Sequence, residues 1–129
     1  TAESFWVITG TTSARKLSSD VYLAAQSTAT VVILMGMSKL SEIVKIFSEF
    51  GKEDTPVGII QNGTTINEKS GFGTIKTIEK VVAEKQLTAP SIIVIGEVVK
   101  ESHQLPKELK EVSGFSASAY SKFLKIGAA

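Results

Sequence analysis

Two continuous apolar runs with one amphipathic segment between them organise the chain. Val31 to Met35 is unbroken by any polar residue, as expected of a strand buried on both faces. Leu40, Ile43, Val44, Phe47 and Phe50 then fall at helical spacing and predict one apolar stripe, with Ser38 as the cap and Gly51 as the stop. Pro56 opens the second run, Val57 to Gln61, at a position where proline costs a strand little. Each run ends in a glycine turn, Met35-Gly36-Met37 and Asn62-Gly63-Thr64. Ligands of open α/β sheets sit beyond the carboxyl ends of the strands, so these two turns are where a ligand is expected.

The remaining pattern adds elements on either side. Ser4 to Thr9 is rich in β-branched and aromatic residues and reads as a strand stopped by Gly10. Thr11 to Ser19 is a polar loop, and Asp20 is placed to cap a short helix through Ala25. Glu68 to Gly73 is polar with two glycines and reads as a loop or a short edge strand. Thr74 is positioned to cap a second helix whose buried stripe is Ile75, Ile78, Val81 and Val82. Pro90 precedes another buried strand, Ser91 to Ile95, ended by Gly96. Strands alternating with helices indicate an α/β layer, a sheet of about five strands flanked by helices. The central strand-helix-strand unit is a right-handed crossover if its strands lie parallel. Residues 1–100 form the domain and 101–129 an extension, charged from Pro106 to Val112 and then rich in small residues around Phe115, Tyr120 and Phe123.

Composition narrows the function classes. A chain of 129 residues with 43% hydrophobic residues supports one domain with a core. A net charge of +1 gives no field to steer nucleic acid or a membrane surface, and no apolar run approaches the ~20 residues of a membrane span. With no cysteines there is neither a disulfide scaffold nor a thiolate metal site, which fits a reducing, cytoplasmic setting. The chain starts at Thr1 without an initiator methionine and enters a strand almost at once, so a piece of a longer protein or a processed chain is expected.

Each candidate site has a plain structural alternative. Met35-Gly36-Met37 is either core methionine around a turn or main chain laid against a planar ligand, with methionine as a soft, polarizable wall. Asn62-Gly63-Thr64-Thr65 is a turn signal by default, but two such turns at one sheet edge suggest a pocket. Gly71-Phe72-Gly73-Thr74 lacks the lysine and spacing of a phosphate loop. His103, the one histidine, makes no metal site by itself. Arg15 and Lys16 are solvated loop cations or contacts for an acidic substrate. No catalytic group can be assembled from position, so a ligand-binding half-site and a non-catalytic dimerisation or sensing module both stay open.

The ordered set Leu34-Met35-Gly36-Met37, Asp54-Thr55-Pro56-Val57, Asn62-Gly63-Thr64-Thr65, Gly73-Thr74-Ile75 and Ala89-Pro90, running into Ile92 to Val99, resembles the C-terminal half of the tetrapyrrole methylases. Within them it is most similar to the uroporphyrinogen-III C-methyltransferases. Ser4-Phe5 with Val7-Ile8-Thr9-Gly10 resembles the strand that opens their second domain. The likeness spans roughly Ser4 to Lys100 and implies that domain's mixed sheet. It implies S-adenosylmethionine as cofactor, S-adenosylhomocysteine as product, and a homodimer. Met35 and Gly63 match cofactor-contacting positions and Pro90 a less regular third; Gly36, Asn62 and Thr64 enter by adjacency. The contacts implied are mostly main-chain, consistent with the lack of a visible catalytic residue. The reaction implied is methylation of uroporphyrinogen III to precorrin-2 for sirohaem and cobalamin. The family's N-terminal motifs are absent, so the chain alone is expected to be inactive. Another methylase of the superfamily, acting on a later corrin precursor or on protein or RNA, is the nearest alternative.

Overall fold

Alternate residues of the central strands point into two separate apolar layers, and the architecture follows from that. In the computed structural model, which describes residues 4–12, 14, 16–62 and 66–101, five strands make one mixed sheet. They are β1 (Phe5–Thr9), β2 (Thr30–Leu34), β3 (Pro56–Gln61), β4 (Lys69–Thr74) and β5 (Ser91–Ile95). Four helices accompany them: α1 (Asp20–Gln26), α2 (Leu40–Glu49), α3 (Ile78–Lys85) and the short α4 (Val98–Glu101). Val31, Ile33, Ile59, Ile93 and Ile95 face a layer that Ala24, Ile43, Phe47 and Ile78 of the three longer helices complete. Val32, Leu34, Ile60, Ile92 and Val94 face the other side, where Val99 of α4 and Phe72 of β4 pack. Both faces being apolar explains why β2 and β5 read as continuous runs without alternation. Each fully buried isoleucine contributes roughly 1.5–3 kcal/mol of transfer free energy.

The strand order is β1-β2-β5-β3-β4. β1 and β2 are parallel, whereas β5 runs antiparallel to both β2 and β3. The strands on either side of α2 therefore point the same way without being neighbours, because β5 lies between them. The condition set for a crossover, parallel strands on either side of α2, is thus met in direction, while each of the two pairs with β5 in an antiparallel ladder, an order that chain sequence alone does not reveal. One rim of the sheet consequently collects the carboxyl ends of β1, β2 and β3 and the amino end of β5.

Several boundaries differ from the sequence expectation for local reasons. Asp20 is the first helical residue and not the cap; Ser19 holds that place, and the Asp20 N–H donates to Ser18 Oγ at 3.2 Å. A single 3₁₀ turn over Met37–Lys39 precedes α2, so Ser38 lies inside that turn and caps nothing. The buried stripe of α2 is Leu40, Ile43, Ile46 and Phe47, while Phe50 falls past the helix end and is 42% exposed. Gly51 does end α2: its φ is +75°, and the Lys52 N–H reaches back to the Phe47 carbonyl at 3.0 Å. The α3 helix starts at Ile78 and not after Thr74, because Thr77 Oγ1 accepts the Thr74 N–H at 2.9 Å and holds an intervening turn. The loop or edge strand expected over Glu68 to Gly73 is the edge strand β4, at Lys69–Thr74.

Candidate functional site

The carboxyl-end rim is where the backbone leaves its ordinary conformations. Met35, directly after β2, has φ +53°, and Asn62, directly after β3, has φ +51°. Asparagine tolerates this left-handed region, but methionine rarely occupies it, at a cost of about 1–2 kcal/mol. Two local bonds hold Met35 there. Thr11 Oγ1 donates to the Met35 carbonyl at 2.5 Å, and the Gly10 N–H donates to the Leu34 carbonyl at 2.7 Å. The Asn62 N–H donates to the Pro90 carbonyl at 3.3 Å, which joins the ends of β3 and β5. Strands spaced about 4.8 Å apart put the ends of β2 and β3 about 10 Å apart, with Ser91 of β5 between them.

This arrangement leaves a cavity of about 820 Å³ open at the rim. Met35, Met37, Ala89 and Pro90 supply apolar walls. Thr11, Ser38, Lys39 and Ser91 supply polar ones. The chain has two methionines in all, and both line this cavity. The Met35 side chain is 51% exposed, an unusual place for an apolar residue that follows a buried strand. A largely apolar cleft with a few convergent polar groups is the usual form of a small-molecule site, and the volume falls within the ~300–1,000 Å³ range of such sites.

The expected residues divide between wall, rim and support. Met35 and Pro90 line the cavity. Asn62 stands at the same rim and is bonded to Pro90, but is not a wall. Gly36 is buried beneath the turn: a Cβ there would stand 2.6 Å from Ile33 Cγ2 and 3.2 Å from Ile43 Cδ1. The structure therefore gives it a packing role. Gly63 and Thr64 lie outside the described residues, as do Arg15 and His103. Lys16 is exposed in the loop after β1 and lines neither cavity of this rim. Thr11, Ser38, Lys39 and Ser91 are polar walls that the sequence reading does not point to as site residues. Only the 3₁₀ turn that swings residues 37–39 back over the rim brings Ser38 and Lys39 in, and the sequence pattern carries no signal for it. No metal-binding cluster of histidine and carboxylate side chains occurs among the described residues.

A second cleft, of about 680 Å³, adjoins the first and shares Thr11 and Met35 with it. Thr9, Thr12, Ser18 and Asp20 complete its described walls.

The sequence profile of the Tetrapyrrole (Corrin/Porphyrin) Methylases matches residues 2–79, more than half of the chain. The chain belongs to the tetrapyrrole methylase family. Among the chain's relatives is the uroporphyrinogen-III C-methyltransferase of Methanocaldococcus jannaschii, 38% identical over 100 residues, covering 76% of this chain and 41% of that protein. A siroheme synthase of Hydrogenovibrio crunogenus is 33% identical over 108 residues, 83% of this chain and 23% of the relative. The chain thus spans less than half the length of each of these relatives. The fold is shared with the uroporphyrin-III C-methyl transferase of Thermus thermophilus complexed with S-adenyl homocysteine, at a TM-score of 0.66 and 22% identity over 78% of this chain and 45% of that one. It is also shared with a cobalt precorrin-4 methyltransferase, TM-score 0.65 and 18% identity, covering 74% of this chain and 41% of that one. The expected α/β fold, a mixed five-stranded sheet with helices like that of the tetrapyrrole methylases, is the one observed.

Proposed function

We propose that the chain is the cofactor-side domain of an S-adenosylmethionine-dependent C-methyltransferase that acts, in its full-length form, on uroporphyrinogen III to give precorrin-2. The observation that carries this reading is the rim cavity, walled by Met35 in a strained backbone conformation and fixed by Thr11. Strained residues cluster at functional sites, where surrounding structure holds them. The residues present fit the adenosyl part of the cofactor. Met35, Met37 and Pro90 offer apolar and polarizable surface to a flat purine. Ser38 offers a hydroxyl to a ribose, and Lys39 is the one cation among the described walls, suited to a carboxylate. When bound, the cofactor supplies an electrophilic methyl group. This domain's residues bind and orient it, and no described group among them has to act as nucleophile. Similarity to the Methanocaldococcus enzyme, 38% over 100 residues, supports uroporphyrinogen III as the acceptor.

A two-walled cleft whose other wall comes from an N-terminal domain of the same protein is part of this reading, and is compatible with the 41% share of that relative. Holding donor and acceptor aligned in such a cleft supplies much of the rate, so the isolated chain is read as inactive. Assay of the full-length protein with labelled S-adenosylmethionine and uroporphyrinogen III tests this. Label recovered in precorrin-2 is the expected result. Binding of S-adenosylhomocysteine without transfer moves the acceptor to another tetrapyrrole or beyond, and absence of both transfer and binding overturns the reading.

A further inference from the structure

The cleft beyond Met35 differs in chemistry from the cofactor cavity beside it. Its described walls are four hydroxyl side chains, one methionine and one carboxylate, that of Asp20. The loop forming it is internally bonded: Thr12 N–H donates to the Lys16 carbonyl at 2.8 Å, and Ser18 N–H to the Gly10 carbonyl at 2.8 Å. Three of its four hydroxyls are already engaged. Thr11 Oγ1 donates to the Met35 carbonyl, Thr12 Oγ1 accepts the Lys16 N–H at 3.3 Å, and Ser18 Oγ accepts the Asp20 N–H. The Asp20 carboxylate is different: it is exposed, and among the described residues no hydrogen bond or ion pair joins it to another. An anion with free acceptor sites in the wall repels a carboxylate arm and selects an N–H donor. Because Met35 is common to both clefts, a group seated here abuts whatever fills the first.

We propose that this second cleft seats a pyrrole ring of the tetrapyrrole acceptor and that the Asp20 carboxylate accepts the proton of its N–H. The proposal rests on the methyltransferase reading above. Its balance is simple. A pyrrole ring carbon forms the new C–CH3 bond as the S–CH3 bond breaks and sulfur keeps the electron pair. The ring nitrogen, left electron-poor by the attack, loses its proton to the Asp20 carboxylate. No oxidant or reductant is consumed. Asp20 is thereby a catalytic residue of the acceptor side, while Met35 divides acceptor from cofactor.

The test uses the full-length protein and the variants Asp20→Asn, Asp20→Ser and Asp20→Glu. S-adenosylhomocysteine affinity is measured by calorimetry, tetrapyrrole affinity of the loaded protein by fluorescence, methyl transfer by label, and folding by thermal melting. Loss of a positioned base costs about 100-fold or more. Asn and Ser are expected to lower kcat by that factor, to weaken tetrapyrrole binding several-fold and to leave the S-adenosylhomocysteine affinity and the melt unchanged. Glu is expected to recover part of kcat. Wild-type kinetics in the Asn and Ser variants overturn the proposal. So does a lowered melting temperature with parallel loss of cofactor binding, which would make Asp20 only a first-turn acid of α1. If the wild type binds S-adenosylhomocysteine but methylates no tetrapyrrole, the functional reading itself fails and takes this proposal with it.

Discussion

Thr11 and Met35 are 24 residues apart, yet the hydroxyl of the first donates to the main-chain carbonyl of the second at 2.5 Å. This bond ties the loop after β1 to the left-handed turn after β2, and both residues wall both clefts. Thr11→Val removes the donor while keeping the shape. A net loss of about 1 kcal/mol is expected, together with a fall of several-fold in S-adenosylhomocysteine affinity of the full-length protein. Calorimetry and denaturant unfolding measure the two effects separately, and an unchanged affinity would show that the turn is held without Thr11.

Met35→Gly separates wall from scaffold. Glycine relieves the left-handed cost of about 1–2 kcal/mol but adds a chain-entropy cost of about 0.5–1 kcal/mol. Folding stability should therefore be unchanged or rise by up to about 1.5 kcal/mol. Cofactor affinity should fall about tenfold, because half-exposed side-chain surface facing the cavity is lost. A variant that binds as tightly as wild type would remove Met35 from the site.

Gly36→Ala addresses stability instead. The backbone at Gly36, with φ −110°, accepts alanine, which through the unfolded chain alone would stabilise by about 0.4–1 kcal/mol, so any loss comes from contact. The added Cβ meets Ile33 Cγ2 at 2.6 Å, Ile43 Cδ1 at 3.2 Å and Ile93 Cδ1 at 3.3 Å. Overpacking of this kind costs about 1–3 kcal/mol. Urea denaturation should show a lower midpoint with an unchanged slope.

Lys52 joins two helix ends: its Nζ donates to the Ser27 carbonyl at 2.5 Å and lies 5.9 Å from the centroid of the Phe47 ring. Desolvation holds its pKa below the usual lysine value of 10.5. The unfolded chain therefore binds more protons just below pH 10.5, and this group makes stability rise with pH through that window. Lys52→Met should cost about 1 kcal/mol at neutral pH through the lost bond. It should also flatten the rise, as read from unfolding free energies between pH 8 and about 10.5.

The sequence pattern reveals elements where burial is two-sided or helical and hides them where small residues do the packing. β2, α2, β3 and β5 announce themselves by apolar runs and a helical stripe. β4 does not, because Gly71 and Gly73 stand where α3 lies close: a Cβ on Gly71 would meet Val81 Cγ1 at 2.7 Å, and one on Gly73 would meet Thr77 Oγ1 at 2.7 Å. The close approach that makes the strand a good seat for α3 is what removes its hydrophobic signature. The end of α3 is similarly hidden, since Gln86 takes the left-handed position, φ +54°, that a glycine would have flagged. At the site, Met35 and Pro90 were legible from ordered motifs, whereas Lys39 and Ser38 depend on a 3₁₀ turn that no periodicity foretells.

The reversed direction of β5 has a consequence for how the rim responds to an occupant. Because an incoming strand sits between two outgoing ones, the first cavity is bordered by residue 11, residues 35–39 and residues 89–91, three stretches separated by tens of residues along the chain. A molecule seated there closes long loops all at once, much as a cross-link would. Its binding free energy is then shared by otherwise independent local openings. Amide hydrogens in all three stretches, and at Asn62 bonded to Pro90, should slow their exchange together when the cavity fills.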